Sequence, residues 1–297
     1  MTFDRIRQSR FNRRHAEHQP GTPILSVHGL TLHYNGTPAL QDISFEIPAG
    51  DQVAVVGPNG AGKSTLFKVI AGILEPGAGQ VEIFGGGPDG HICIAYLPQR
   101  NQVDWTFPVN VADVVMMGRI GKLGLLRWPR SSDWEIVDKA LEVVRLSHLR
   151  DRQIGELSGG QQQRMFIARA LAQEAELMLI DEPLAGLDVT SQEDILKILA
   201  SLSGRGVTVL VAMHDLKIAA DHFNRVMLLN RRLSGFGKPN DIFIPERLAE
   251  AYGDHLHLVE TGDQVLAVSD TCCDEGEGPL HIQGHRSKSG ESRPAKK

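Results

Sequence analysis

The run Gly57, Pro58, Asn59, Gly60, Ala61, Gly62, Lys63, Ser64, Thr65 constrains this chain more than any other stretch, because it fits the phosphate-loop pattern G-x-x-x-x-G-K-[ST] at every fixed position. It follows the apolar run Val53 to Val56, short enough for a buried strand, and it leads into a helix-compatible segment, Ser64 to Ile73. Strand, glycine loop and helix is the order a phosphate cradle requires. Glycines let backbone N–H groups approach an anion, and the helix N-terminus adds its positive partial charge. In that pattern Lys63 reaches the β- and γ-phosphates and Ser64 offers its hydroxyl to Mg²⁺. The loop alone leaves many nucleotide enzymes open.

Composition narrows the field. A chain of 297 residues with 41% hydrophobic content can bury a large α/β core, and a net charge of -5 gives no global case for a nucleic-acid partner. No stretch approaches the roughly 18 consecutive apolar residues of a spanning helix, and the start of the chain lacks the apolar centre of a signal peptide. Cys93, Cys272 and Cys273 are too few for a disulfide framework, so a cytosolic, reducing setting is expected.

Along the chain, residues 1–22 read as a disordered basic arm carrying Arg5, Arg7, Arg10, Arg13 and Arg14. Ile24 to Phe45 alternates like strands around the turn signal Asn35-Gly36. After the loop, Val81 to Phe84 and Ile92 to Leu97 read as strands, and from about 100 to 158 the periodicity is helical, over Val111 to Gly118 and Trp134 to Leu146. A helix then begins at Ser158. Leu177 to Ile180 and Val207 to Met213 are buried strands with a helix, Gln192 to Leu202, between them, and short strands with a last helix at Pro245 to Tyr252 follow. The expected fold is α/β: a phosphate-loop core with a mostly parallel sheet, an antiparallel β subdomain and an inserted helical subdomain, spanning residues 23–262. Residues 263–297 read as a mostly disordered tail.

Leu157-Ser158-Gly159-Gly160-Gln161 changes the specificity of the reading. Together with the phosphate loop it resembles the nucleotide-binding subunit of ATP-binding cassette transporters, in matching order from about Val27 to Tyr252. The resemblance implies an ATPase with ATP and Mg²⁺ as cofactors. Tyr34 looks like the platform on which adenine stacks, although a core tyrosine is the other reading. Gln99 resembles the glutamine that contacts Mg²⁺ and the attacking water and links the core to the helical subdomain. Asp181 is similar to the carboxylate that joins Ser64 and Gln99 at Mg²⁺. Glu182 is the implied base and His214 the implied switch at the γ-phosphate. Asp188 matches the loop that touches a partner subunit. Ser158, Gly159, Gly160 and Gln161 start a helix, where N–H groups can hold an anion; an N-capping serine with a glycine turn is the alternative. In the family that anion is the γ-phosphate held by a second copy, so the implied active species is a dimer sandwiching two ATP molecules.

The segments Asn101 to Arg119, Asp151 to Gln163 and Leu228 to Arg232 are similar to the ATPases of bacterial manganese, zinc and iron importers. This implies a peripheral subunit on the cytoplasmic side of the cell membrane, an integral membrane permease as partner, and indirectly an extracytoplasmic metal-binding protein. Metal-chelate import, of siderophores or cobalamin, and a soluble cassette protein acting on nucleic acid or ribosomes are the alternatives. Trp105, Phe107, Met116 and Met117 offer a groove for a permease helix, or core packing. Cys272, Cys273, His281 and His285 carry one H-x₃-H spacing, but adjacent cysteines suit zinc poorly, so a solvated tail is the expectation.

Overall fold

The computed structural model describes residues 22–87, 93–99, 104–123, 127–253, 256–261, 264–269 and 280–283. Residues 1–21 of the basic arm, Cys272, Cys273 and His285 lie outside them. Asn35 and Gly36 take φ of 49° and 80°, the left-handed pair that a two-residue hairpin turn needs, so β1 (Leu25–Tyr34) folds back on β2 (Thr37–Ile47) with Tyr34 opposite Thr37. On its other side β1 pairs with β4 (Ala78–Ile83), completing a three-stranded antiparallel sheet.

The central sheet has the order β5-β6-β7-β3-β8-β9. Here β3 is Gln52–Val56, β5 Ile94–Leu97, β6 Leu177–Asp181, β7 Thr208–Met213, β8 Arg225–Asn230 and β9 Arg232–Gly237. Every pair is parallel except β8–β9. The inner strands β3, β6, β7 and β8 are mostly apolar because both faces are covered, and alternate residues go to different cores. Ala54, Val56, Met178, Ile180, Val209 and Val211 join the core shared with the helical layer. Val53, Val55, Leu177, Leu179, Leu210 and Ala212 pack against the antiparallel sheet and helix α1 (Lys63–Ile70). This is the α/β architecture expected from the sequence.

The helical layer comprises α2 (Val111–Met116), α3 (Ile120–Leu123), α4 (Ser131–Val143) and α5 (Gly159–Ala172). Arg119, 7% exposed, ties it together: it pairs with the equally buried Asp133 at 3.2 Å, donates to the Ala172 carbonyl at 3.0 Å and reaches Glu174 at 2.5 Å. A buried cation is tolerated only when its donors are matched in this way. The remaining helices are α6 (Val189–Ser203), α7 (Leu216–His222), α8 (Pro239–Ile242) and α9 (Pro245–Tyr252). Strands β10 (Leu256–Thr261), β11 (Gln264–Ser269) and β12 (Leu280–Gln283) form a third, antiparallel sheet. Two of them fall within the tail whose composition reads as mostly disordered; the local run Val265 to Val268 is apolar enough to pair.

Candidate functional site

Strand β3 is buried at every position and delivers the chain to the phosphate loop. At Gly57 a Cβ would stand 1.9 Å from the Leu229 carbonyl oxygen, and at Gly62, φ 96°, it would stand 2.6 Å from that of Ala39. Glycine is required at both by close backbone approach. The loop is pinned from outside as well: the Arg231 N–H donates to the Ala61 carbonyl at 2.8 Å. Gly62 is the N-cap of α1 and provides no side-chain cap, so the first N–H groups of the helix face the loop. Lys63, 6% exposed, donates its Nζ to the carbonyls of Gly57 at 2.6 Å and Pro58 at 3.2 Å. Burial lowers the pKa of this ammonium, while the Glu182 and Asp181 carboxylates pull it back up.

The parallel register sets the remaining groups at one edge of the sheet. Val56 lies opposite Met213, Asp181 opposite Ala212, and Leu97 opposite Ile180. Gly57, His214, Glu182 and Gln99 therefore all emerge from the carboxyl ends of neighbouring strands, where open α/β sheets bind ligands. Asp181 is 5% exposed and accepts a long hydrogen bond, 3.5 Å, from the Tyr96 hydroxyl. Burial, then the neighbouring Asp181 carboxylate, pushes the Tyr96 pKa up to about 12, so the phenol stays protonated. Glu182 has φ 48°, a left-handed conformation that costs a non-glycine residue roughly 1–2 kcal/mol. Its N–H donates to the Ala212 carbonyl at 3.0 Å, and its Oε2 accepts from Gln99 Nε2 at 2.9 Å. Such a conformation persists only where the surrounding structure over-determines it, here through the Ala212 and Gln99 bonds.

These groups border a cleft of about 330 Å³. Its walls are Tyr34, 47% exposed, with Thr37, Pro38 and Ala39 from the first hairpin, then Asn59 to Thr65, Glu182 and Arg231. Of the residues picked from sequence, Tyr34, Asn59, Gly60, Ala61, Gly62, Lys63, Ser64, Thr65 and Glu182 meet there. Gln99 reaches it through Glu182, and Asp181 lies one residue behind. Gly57, Pro58, His214, Asp188 and Ser158 to Gln161 are not among its walls. Thr37, Pro38, Ala39 and Arg231 are wall residues that the sequence reading missed. For Arg231 the signal was present in the segment Leu228 to Arg232, read there only as a mark of subfamily.

The second glycine-rich helix start is built differently. Ser158 caps α5: its Oγ accepts from the Gln161 N–H at 3.4 Å, and Gln161 Oε1 accepts from the Ser158 N–H at 2.9 Å. This reciprocal pair is a capping box. A Cβ at Gly160 would meet Ser191 Oγ at 2.6 Å, and Ser191 in turn donates from its N–H and Oγ to Asp188 at 2.9 and 2.7 Å. The signature segment and the Asp188 loop are thus packed on one another. Asp188 caps α6, and these hydrogen bonds from Ser191 hold its carboxyl below the usual value.

Of the four groove residues, Trp105 packs edge-on against Phe166 at 5.9 Å and Met116 is 7% exposed, so both serve the core. Phe107 and Met117 are exposed, as are Ile120 and Trp128 on the same subdomain.

A glycine loop with its lysine, carboxylates at parallel strand ends and a cleft beside an aromatic ring define a phosphate-loop nucleotide-binding protein of the α/β class. Comparison with known proteins makes the assignment specific. The family profile described as ABC transporter matches residues 40–185. The manganese transport system ATP-binding protein MntB of Bacillus subtilis is 44% identical over 244 residues, 82% of this chain and 97% of that protein. The zinc transport system ATP-binding protein TroB of Treponema pallidum is 45% identical over 233 residues, 78% of this chain and 88% of that one. An ATP-binding cassette of an ABC transporter, solved in its ADP conformation, superposes with a TM-score of 0.70 at 27% identity over 78% of this chain and 98% of its own. This chain belongs to the ABC transporter family, as an ATP-binding, ATP-hydrolysing subunit.

Proposed function

We propose that this subunit powers import of a divalent metal ion, manganese, zinc or iron, through a membrane permease. The observation that carries the cargo is the similarity to relatives named for manganese, zinc and chelated iron transport, each 42–45% identical over 78% or more of this chain. Among the described residues no helix is long and apolar enough to cross a membrane, so coupling to the bilayer falls to a partner. Phe107, Met117, Ile120 and Trp128, all exposed, supply an apolar surface of the kind a permease helix would cover.

The cleft holds ATP with adenine on Tyr34 and the phosphates on Gly57 to Thr65. The donors beside it fit Mg²⁺, which takes hard oxygen ligands: the Ser64 hydroxyl, the buried Asp181 carboxylate and the Gln99 amide. When bound, that ion neutralises charge between the β- and γ-phosphates. Glu182, anchored through its backbone to Ala212 and through its side chain to Gln99, is placed to accept the proton of an attacking water. Lys63 exchanges the carbonyls of Gly57 and Pro58 for phosphate oxygens, and His214 at the end of β7 holds the γ-phosphate. Ser158, Gly159, Gly160 and Gln161 act in a second copy, with Asp188 at the contact. ATP binding then closes the dimer and hydrolysis opens it.

Glu182→Gln tests the assignment. ATP binding is retained, turnover falls at least about 10²-fold, and an ATP-dependent dimer persists in size-exclusion chromatography. Near-normal turnover removes Glu182 from this role. Metal-resolved uptake in cells expressing the chain with its permease tests the cargo: Lys63→Ala abolishes accumulation of one divalent metal, and unchanged accumulation of all three refutes it.

A further inference from the structure

We infer that Arg231 contacts the nucleotide directly, as a second cation beside Lys63 for its phosphate chain. This rests on the cleft being the ATP site. Arg231 is the turn residue between β8 and β9, flanked by the paired Asn230 and Arg232. Its φ is 59°, a conformation that favours glycine or asparagine and penalises a long side chain. The turn is fixed to the phosphate loop at two points and to β2 at a third. The Arg231 N–H donates to Ala61 at 2.8 Å, its carbonyl accepts from the Gln41 N–H at 2.7 Å, and the Leu229 carbonyl fills the space where a Gly57 Cβ would stand. Any phosphate seated on the loop is therefore seated on a platform that includes this turn.

The side chain is free to serve a ligand. Lys63, Glu182 and Arg231 are the charged residues among the cleft walls. Two neighbouring arginines have partners of their own, Arg225 on Asp51 at 3.0 Å and Arg232 on Gln41 Oε1 at 3.0 Å. The exposed Arg231 guanidinium makes no ion pair with a described residue. A strained backbone that spends an arginine where glycine would fit, at the edge of an anion cradle, matches the fork-shaped recognition of phosphate that arginine supplies.

The experiment measures equilibrium binding of ADP and ATP to the full-length chain, with thermal melting of each variant. Arg231→Ala weakens both nucleotides about fivefold, the size of one charge contact at a solvent-exposed site, and Arg231→Lys recovers part of the loss. Arg231→Gly weakens them equally while its melting temperature holds or rises, since the left-handed turn is relaxed. Binding by the glycine and alanine variants within about twofold of the parent, against the fivefold expected of a charge contact, overturns the inference. So does weakening accompanied by a lowered melting temperature in Arg231→Gly, which would mean a displaced loop. Lys63→Ala is the separate control: if it binds ADP and ATP as the parent does, the cleft is not the nucleotide site and the underlying reading fails instead.

Discussion

Two helices in this molecule begin on glycine-rich loops, and their N-termini are finished in opposite ways. Helix α1 follows Gly62, which offers no side chain to its first turn, whereas α5 follows Ser158, which exchanges backbone-to-side-chain hydrogen bonds with Gln161 in the first turn. A helix leaves four N–H groups without intrahelical partners, so an uncapped start is costly unless something else serves them. In α1 no side chain supplies it, and the loop keeps its shape through Lys63, Leu229, Arg231 and Ala39. In α5 side chains serve two of the four, the Ser158 and Gln161 N–H groups. One end has no side-chain cap, and the other is capped in part by its own residues.

The largest effect that could break this contrast is at Gly57. Alanine there places a Cβ against the Leu229 backbone oxygen, and neither strand end can move without disturbing the sheet. Gly57→Ala should lose about 3 kcal/mol or more in urea denaturation and all measurable ATP binding. Gly160→Ala meets instead a serine side chain, Ser191, which can rotate at the expense of its bond to Asp188. It should lose about 1 kcal/mol, one hydrogen bond's worth, and leave ATP binding by a single subunit intact. Equal losses at the two glycines would erase the distinction.

Ser158→Ala sharpens it on the capped side. The loss of one cap costs about 1 kcal/mol and Ser158→Gly only a few tenths. Because Ser158 is not a wall of the cleft, both variants should bind ATP as monomers with parental affinity while ATP-dependent dimerisation weakens. Isothermal titration and sedimentation in the analytical ultracentrifuge read the two quantities separately.

What the sequence disclosed follows the same division. The phosphate loop was legible in full because its requirements are local: a buried strand, glycines where backbones crowd, and a lysine at a fixed offset. The parallel strands were legible because covered strands carry near-continuous apolar runs, as in Val53 to Val56 and Leu177 to Ile180. Arg231 and the wall from Thr37 to Ala39 were not, because they reach the loop through tertiary contacts, Arg231 from 170 positions away from Ala61 in the sequence. Trp105 and Met116 could not be separated from Phe107 and Met117 by spacing, since helical periodicity does not say which face another element covers. The short helix α7 escaped for a related reason: its seven residues are too few to display a period.

The smallest effect concerns Asp188, the cap next to the signature segment. Its carboxyl lies below the ordinary 3.8 because the backbone N–H and then the hydroxyl of Ser191 donate to the charged form. A depressed folded pKa means that the cap is at full strength above the unfolded value and is lost as pH falls through the lower, folded one. Hydrogen exchange at the Ser191 amide should therefore be flat in protection from pH 6 to about 4, then lose protection as the solution is taken below the ordinary carboxylate range. The start of α1 has no titrating cap, Gly62 standing in that position, so the Leu66 amide, which donates to the Gly62 carbonyl at 2.8 Å, should keep its protection over the same interval. If both helix starts loosened together, acid would be acting on the fold as a whole, and the independence of the Asp188-capped start of α6 from the uncapped start of α1 would be lost.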